Sequence, residues 1–214
     1  KKFLKENQIL IDKCRLDGGY VNLFTDEQGR TNLDIFPPSE PDTVEESSEF
    51  TYGIDLASLR FNDVNINYSD LTQGMLADIE GFDMSAKAKM RDDMLAGNIV
   101  LSMNSINYNQ TTDSLSMLVK LNDLRFEGDA EMIGDDIRAD IEASSSSLNY
   151  ESNGQYAEFN NLNFKYDGDV NNYDVVKGNL ELSLDDLSFV MDNETYVNKA
   201  DVRLITPLDA TLST

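Results

Sequence analysis

Asn98-Ile99-Val100-Leu101-Ser102-Met103-Asn104-Ser105-Ile106-Asn107-Tyr108 decides the fold class. Ile99, Leu101 and Met103 recur at every second position among mostly polar neighbours, which is the period of a half-buried strand. Leu180, Leu182 and Leu184 repeat the pattern near the C-terminus. The tail of the stretch, Ile106-Asn107-Tyr108, returns as Ile66-Asn67-Tyr68 and Leu148-Asn149-Tyr150, and in weaker form as Leu187-Ser188-Phe189. The spacing of about 40 residues is that of one supersecondary unit that must stack on its neighbours to bury an apolar face. A second phrase falls between copies of the first: Gly81-Phe82-Asp83-Met84, Asp123-Leu124-Arg125-Phe126, Asn161-Leu162-Asn163-Phe164 and Asp201-Val202-Arg203-Leu204. Two phrases per period imply two strands per repeat. Turn formers cluster at Asn109-Gln110-Thr111-Thr112-Asp113, Gly134-Asp135-Asp136, Glu151-Ser152-Asn153-Gly154 and Asp167-Gly168-Asp169, and read as hairpin connections. The expected fold is mainly β: a long antiparallel meander of repeated hairpins over residues 50–214, forming a curved, groove-like or folded-over sheet.

The alternation slips by one residue in most strands, with Met103 followed by Ile106, Leu121 by Leu124, Phe159 by Leu162 and Leu184 by Leu187. A slip sends the rest of a strand to the opposite face unless a bulge or bend absorbs the extra residue. The slips lie at similar distances from the turns. Either they align into a row that creases the sheet, or each is a local irregularity or a strand buried on both faces. Strands of about 12 to 15 residues, roughly 40–50 Å long, are expected. One face carries Ile, Leu, Met, Val and Phe, so the sheet must curl on itself, pack another sheet or hold an apolar ligand. The candidate lining is Ile99, Leu101, Met103, Met117, Val119, Leu121, Leu180, Leu182 and Leu184; the same pattern would serve a closed two-layer core.

Composition narrows the chemistry. Lys and Arg total 17 against 40 Asp and Glu, a formal charge of −23, which repels phosphate and makes nucleic acid a poor partner. Lipid contact would have to be apolar and sheltered. With no His the usual general base is absent, and Cys14 has no imidazole beside it to lower its pKa. The paired acids Asp92/Asp93, Asp135/Asp136 and Asp185/Asp186 read as solvated turn residues rather than an acid and base. No enzyme activity, cofactor or metal is expected, although Asp167-Gly168-Asp169-Val170-Asn171-Asn172-Tyr173-Asp174 offers oxygen ligands of the kind Ca²⁺ takes; it lacks the terminal Glu of an EF-hand and reads as an acidic hairpin loop. Tyr68, Tyr108 and Tyr150 read as packed rim residues. No apolar run approaches the roughly 20 residues that span a bilayer.

The first third departs from the repeats. Lys1 to Asn7 has some helical character, and Ile9 to Phe24 reads as a bent strand or hairpin interrupted at Asp17-Gly18-Gly19. Residues 1–36 form an N-terminal β segment. Residues 37–49 are acidic, rich in Pro and Ser and poor in bulky apolar side chains, a mobile linker or surface loop dispensable for folding. The opening Lys1-Lys2-Phe3-Leu4-Lys5, without an initiator Met, reads as a fragment or processed form.

Asp26-x-x-Gly29-Arg30-x-Asn32, then the Pro-rich insertion, then Ile54-x-Leu56-x-x-Leu59-x-Phe61-x-x-Val64-x-Ile66-x-Tyr68-x-Asp70 resembles the AsmA family of bacterial envelope proteins. The resemblance covers residues 8–110 by motif and the remainder by repeat style; Leu33 stands where that family often has Trp. It implies a periplasmic protein anchored to the inner membrane by an N-terminal helix absent from this fragment, with an apolar β-groove for lipid acyl chains and a role in phospholipid transport or outer-membrane biogenesis. The alternative from a different class is an extracellular adhesin or recognition module with a closed β core, stabilised in one version by calcium.

Overall fold

The alternation at Asn98–Tyr108 belongs to one strand of a single, twelve-stranded sheet in the computed structural model, which describes residues 4–5, 8–32, 53–172 and 174–211. Four short strands come first: β1 (Leu4–Lys5), β2 (Gln8–Ile11), β3 (Cys14–Asp17) and β4 (Tyr20–Thr25). Eight long ones follow as four hairpins: β5 (Gly53–Asp70) with β6 (Met75–Arg91), β7 (Met94–Thr111) with β8 (Ser116–Ile133), β9 (Asp136–Ser152) with β10 (Gln155–Asn171), and β11 (Val175–Met191) with β12 (Glu194–Thr211). Each hairpin is one copy of the repeat, 36 to 40 residues from its first strand residue to its last. The meander from β5 to β12 is antiparallel throughout.

Several expectations are corrected or decided. The strands run 17 or 18 residues, longer than the turn spacing suggested, and in β10 Asp167-Gly168-Asp169 is paired on both sides as ladder rather than forming a turn. Gly168 lies directly opposite Gly178, and the reversal falls beyond Asn171. Asp185 and Asp186 likewise lie within β11. At the N-terminus, Leu4–Lys5 pairs as strand with Gln8–Ile9 rather than forming helix. The segment from Gln8 to Thr25 is a bent strand and not a hairpin: β2, β3 and β4 follow one another along β5, all parallel to it and all in one register. The linker at residues 37–49 lies outside the described residues.

The phase slips form one line across the sheet. At this level Asp63, Gly81, Asp123, Asn161, Asp186 and Lys199 all have positive φ, between 49° and 60°. In β7 and β9 the residues facing Gly81, Asp123 and Asn161 are Asn104 and Ser146. The line reaches the edge at Gly18 and Gly19, φ 64° and 118°, where the parallel strand breaks. Gly, Asp and Asn tolerate the left-handed region best, which accounts for the residue that opens the recurring phrases at Gly81, Asp123 and Asn161.

Side chains replace the ladder bonds lost there. The Asp63 and Gly81 N–H groups donate to Asp83 Oδ1 and Asn65 Oδ1, both at 3.0 Å. Ser145 Oγ donates to the Asn122 carbonyl at 2.8 Å and Ser146 Oγ to Asp123 Oδ2 at 2.7 Å. The Lys199 N–H reaches Ser188 Oγ at 3.3 Å. Because every strand absorbs one residue out of alternation at this level, the apolar set continues on the same face beyond the crease.

Candidate functional site: an uncovered apolar trough

Register places the apolar residues in rows that cross the strands. One row on the longer flank runs Leu16, Phe61, Met84, Leu101, Phe126, Ala143, Phe164, Leu182 and Leu204. Ile99 and Leu180 share the next row outward, while Met103 and Leu184 lie beside the crease. Beyond Ile99 comes a row of small residues, with Ala88, Gly97, Ala130, Ala139, Gly168 and Gly178 in successive strands. Beyond that, Met90, Leu95, Met132, Ile137, Val170 and Val176 restore bulk near the strand ends. Small residues between two bulky rows leave a concavity of about 480 Å³, lined by Leu95, Gly97, Ile99, Phe126, Ala130, Met132, Ile137 and Ile141 among others.

The shorter flank is chemically different. Leu121 sits between Ile106 and Leu148, and Val119 between Tyr108 and Tyr150. The three repeated tyrosines fall in a single row, each facing Ala77, Val119 or Ala157 across a strand boundary. Met117 lies one row farther out between Gln110 and Ser152, a polar rim. Thus the nine lining residues fall on one face but on two flanks: six on the aliphatic side of the crease and three on the aromatic side.

Nothing in the described residues covers this face. Among the described residues the strands pack against their sheet neighbours, and the buried apolar side chains are Val64 and Met103, both at the crease. The other eight lining residues are half-buried. The opposite face is polar on the longer flank: the level behind Val100 carries Glu127, Glu142, Lys165 and Glu181, with Lys165 Nζ donating to Glu142 at 2.6 Å. That bond raises the Lys165 pKa.

No family model, curated protein or solved structure matches this chain.

Among the described residues no group of three or more Cys, Asp or Glu is placed to hold a metal. The proposed calcium segment is extended strand as far as Asn171, so Asp167 and Asp169 stand spaced along one face of the sheet instead of being wrapped by a loop around a common centre. Asp92/Asp93 and Asp135/Asp136 lie at hairpin turns, whereas Asp185 is held by Arg203 across the sheet at 2.7 Å, which lowers its pKa. The Asp26-x-x-Gly29-Arg30-x-Asn32 segment is a self-contained cap on β4. Asp26 Oδ1 accepts from the N–H groups of Gln28 and Arg30, and Asn32 Oδ1 accepts from the Phe24 N–H at 2.8 Å. The Arg30 N–H is the main reason the Asp26 pKa is lowered. No described helix is long and apolar enough to cross a membrane.

Sequence reading missed the row of small residues. Its members do not resemble one another as apolar landmarks, since Ala and Gly alternate weakly with polar neighbours. The signal was their constant offset of two positions from Ile99, Ile141 and Leu180.

Proposed function

We propose that this chain is a non-enzymatic cell-envelope module of the AsmA type that carries lipid acyl chains along the apolar trough. The observation that carries the reading is an apolar face several rows deep on each side of a crease, without any described element packed over it. Each methylene moved from water onto such a surface gains about 0.8 kcal/mol, so a chain of a dozen or more carbons is retained without a charged anchor. Periplasmic placement, attachment to the inner membrane through a segment outside this sequence, and a role in outer-membrane biogenesis belong to the same proposal and derive from the family resemblance. The closed-core adhesin reading needs a second layer over the trough.

The test is mass spectrometry of lipids co-purified with the native protein and with Leu101→Asp, whose site lies in the middle of the long flank. In a water-accessible trough the carboxylate stays solvated, so the variant folds and loses lipid. In a closed core the unpaired charge costs several kcal/mol and the variant unfolds. Native protein that retains neither lipid nor a hydrophobic probe would overturn the proposal.

A further inference from the structure

We propose that Tyr166 is the stop that sets how long an acyl chain the trough accepts, because its side chain lies over the row of small residues and closes that row at β10. This rests on the lipid-carrying reading above and adds the chain-length class of the ligand. The 480 Å³ hollow is lined by residues of β6, β7, β8 and β9 and, among the described residues, by none of β10 or β11. Its floor nevertheless continues. Ala130 and Ala139 are followed in the same row by Gly168 and Gly178, which are smaller still. Residue size alone would make the trough deepest there.

Tyr166 fills that space. It stands between Ile141 and Leu180, two positions before Gly168 and on the same face. A Cβ at Gly168 would meet the Tyr166 hydroxyl oxygen at 2.7 Å, so the ring leans along β10 and sets its tip over the glycine. Phe126 leans over Gly128 in the same way, with ring atoms 3.1 Å from a Cβ placed there. Phe126, however, is rooted one row nearer the crease, opposite Leu101, and leaves Ala130 open. The Tyr166 hydroxyl is sealed from solvent and has no hydrogen-bond partner among the described residues. An unpaired buried hydroxyl is a cost that Phe would avoid. The sheet therefore does not need this group in order to fold, and what the group does is close the row. Without it the next bulky member of the row is Leu208, opposite Gly178 in β12.

Neighbouring strands are about 4.8 Å apart, so the open stretch from β6 to β9 is about 14 Å long. An extended chain advances about 1.2 Å per bond and fills that stretch with roughly 12 carbons, and the two further steps to β11 would admit roughly 8 more. The experiment measures displacement of a hydrophobic fluorescent probe from the intact protein by a series of lysophosphatidylcholines, each below its critical micelle concentration, with acyl chains of about 8 to about 20 carbons. In wild type the affinity should rise by up to about fourfold per methylene and level off near about 12 carbons. Tyr166→Leu, which stays apolar but cannot reach Gly168, should move the plateau outward by at least about 4 carbons. Ala130→Leu, at an exposed position on the floor of the hollow, should move it inward. A plateau unmoved in folded Tyr166→Leu, or an affinity that rises steadily through the whole series in wild type, would overturn the inference alone. If Tyr166→Leu does not fold, Ala130→Leu decides, and an unmoved plateau there overturns the inference. Failure of wild type to bind the probe or any of the lipids would overturn the lipid-carrying reading with it.

Discussion

Asp123 shows how one residue bends a strand. Its φ of 51° places it in the left-handed region, which costs ordinary L-residues roughly 1–2 kcal/mol, and its carboxylate accepts the Ser146 hydroxyl from the neighbouring strand at 2.7 Å. Asp123→Gly should stay within about 1 kcal/mol of wild type, since relief of backbone strain offsets the lost bond. Asp123→Val should lose at least about 2 kcal/mol, and urea midpoints separate the two. Asp70, nearly buried at the end of β5, accepts from the Thr72 hydroxyl and from the Thr72 and Gln73 N–H groups. The Thr72 hydroxyl is the main cause of its lowered pKa. A lowered carboxyl contributes stability that is fully present above its unfolded pKa, near 3.8, and disappears as pH falls through the lower folded value. The melting-temperature gap between wild type and Asp70→Asn should therefore be constant from pH 7 to 5 and close on acidification below about pH 3.8. A gap that widens in acid would contradict the assignment.

At the scale of the strand, close approach matters as much as alternation. Gly168 and Gly178 face each other on β10 and β11. A Cβ at Gly178 would lie 2.4 Å from the Asp167 carbonyl oxygen, and one at Gly168 would lie 2.2 Å from that of Lys177. Backbone cannot yield as a side chain can, so Gly178→Ala should cost about 1–3 kcal/mol. Gly128→Ala meets Phe126 ring atoms at 3.1 Å and should cost less, because the ring can turn aside. Equal urea midpoints for the two variants would refute this difference. The same pair explains why Asp167-Gly168-Asp169 is not a turn: its glycine answers a glycine ten residues on, and a window of three residues cannot show that.

At the scale of the molecule, the parallel edge imposes a length on the connection that precedes β5. Asn32 lies beside Phe24, which pairs at the level of Ser69, whereas β5 begins at Gly53 at the other end of the sheet. The return path along β5 is about 53 Å. The 21 peptide links between Asn32 and Gly53 reach about 70 Å, but removal of residues 37–49 leaves 8 links and about 28 Å. Deletion should therefore release the edge strand and lower the melting temperature, whereas a scrambled segment of equal length should leave it unchanged. An unaffected deletion variant would show that β2 to β4 do not pair with β5 in solution. Composition made this segment look dispensable, whereas the reach required by the topology predicts that its length matters.

Ile99, Leu101 and Met103 announce a strand because alternation is a local property, and the returning Asn-Tyr phrase reveals the 40-residue hairpin for the same reason. Gly81, Asp123 and Asn161 mark the crease through the intrinsic ease with which those residue types adopt positive φ. That the slips align into one line depends on register between strands, which is settled by pairing across the sheet. The parallel addition of β2 to β4 joins residues 45 positions apart, with no local period to betray it. Whether the apolar face would be closed or open was equally beyond the chain's local pattern, because alternation specifies which side chains share a face, while only the arrangement of whole strands determines what lies opposite it.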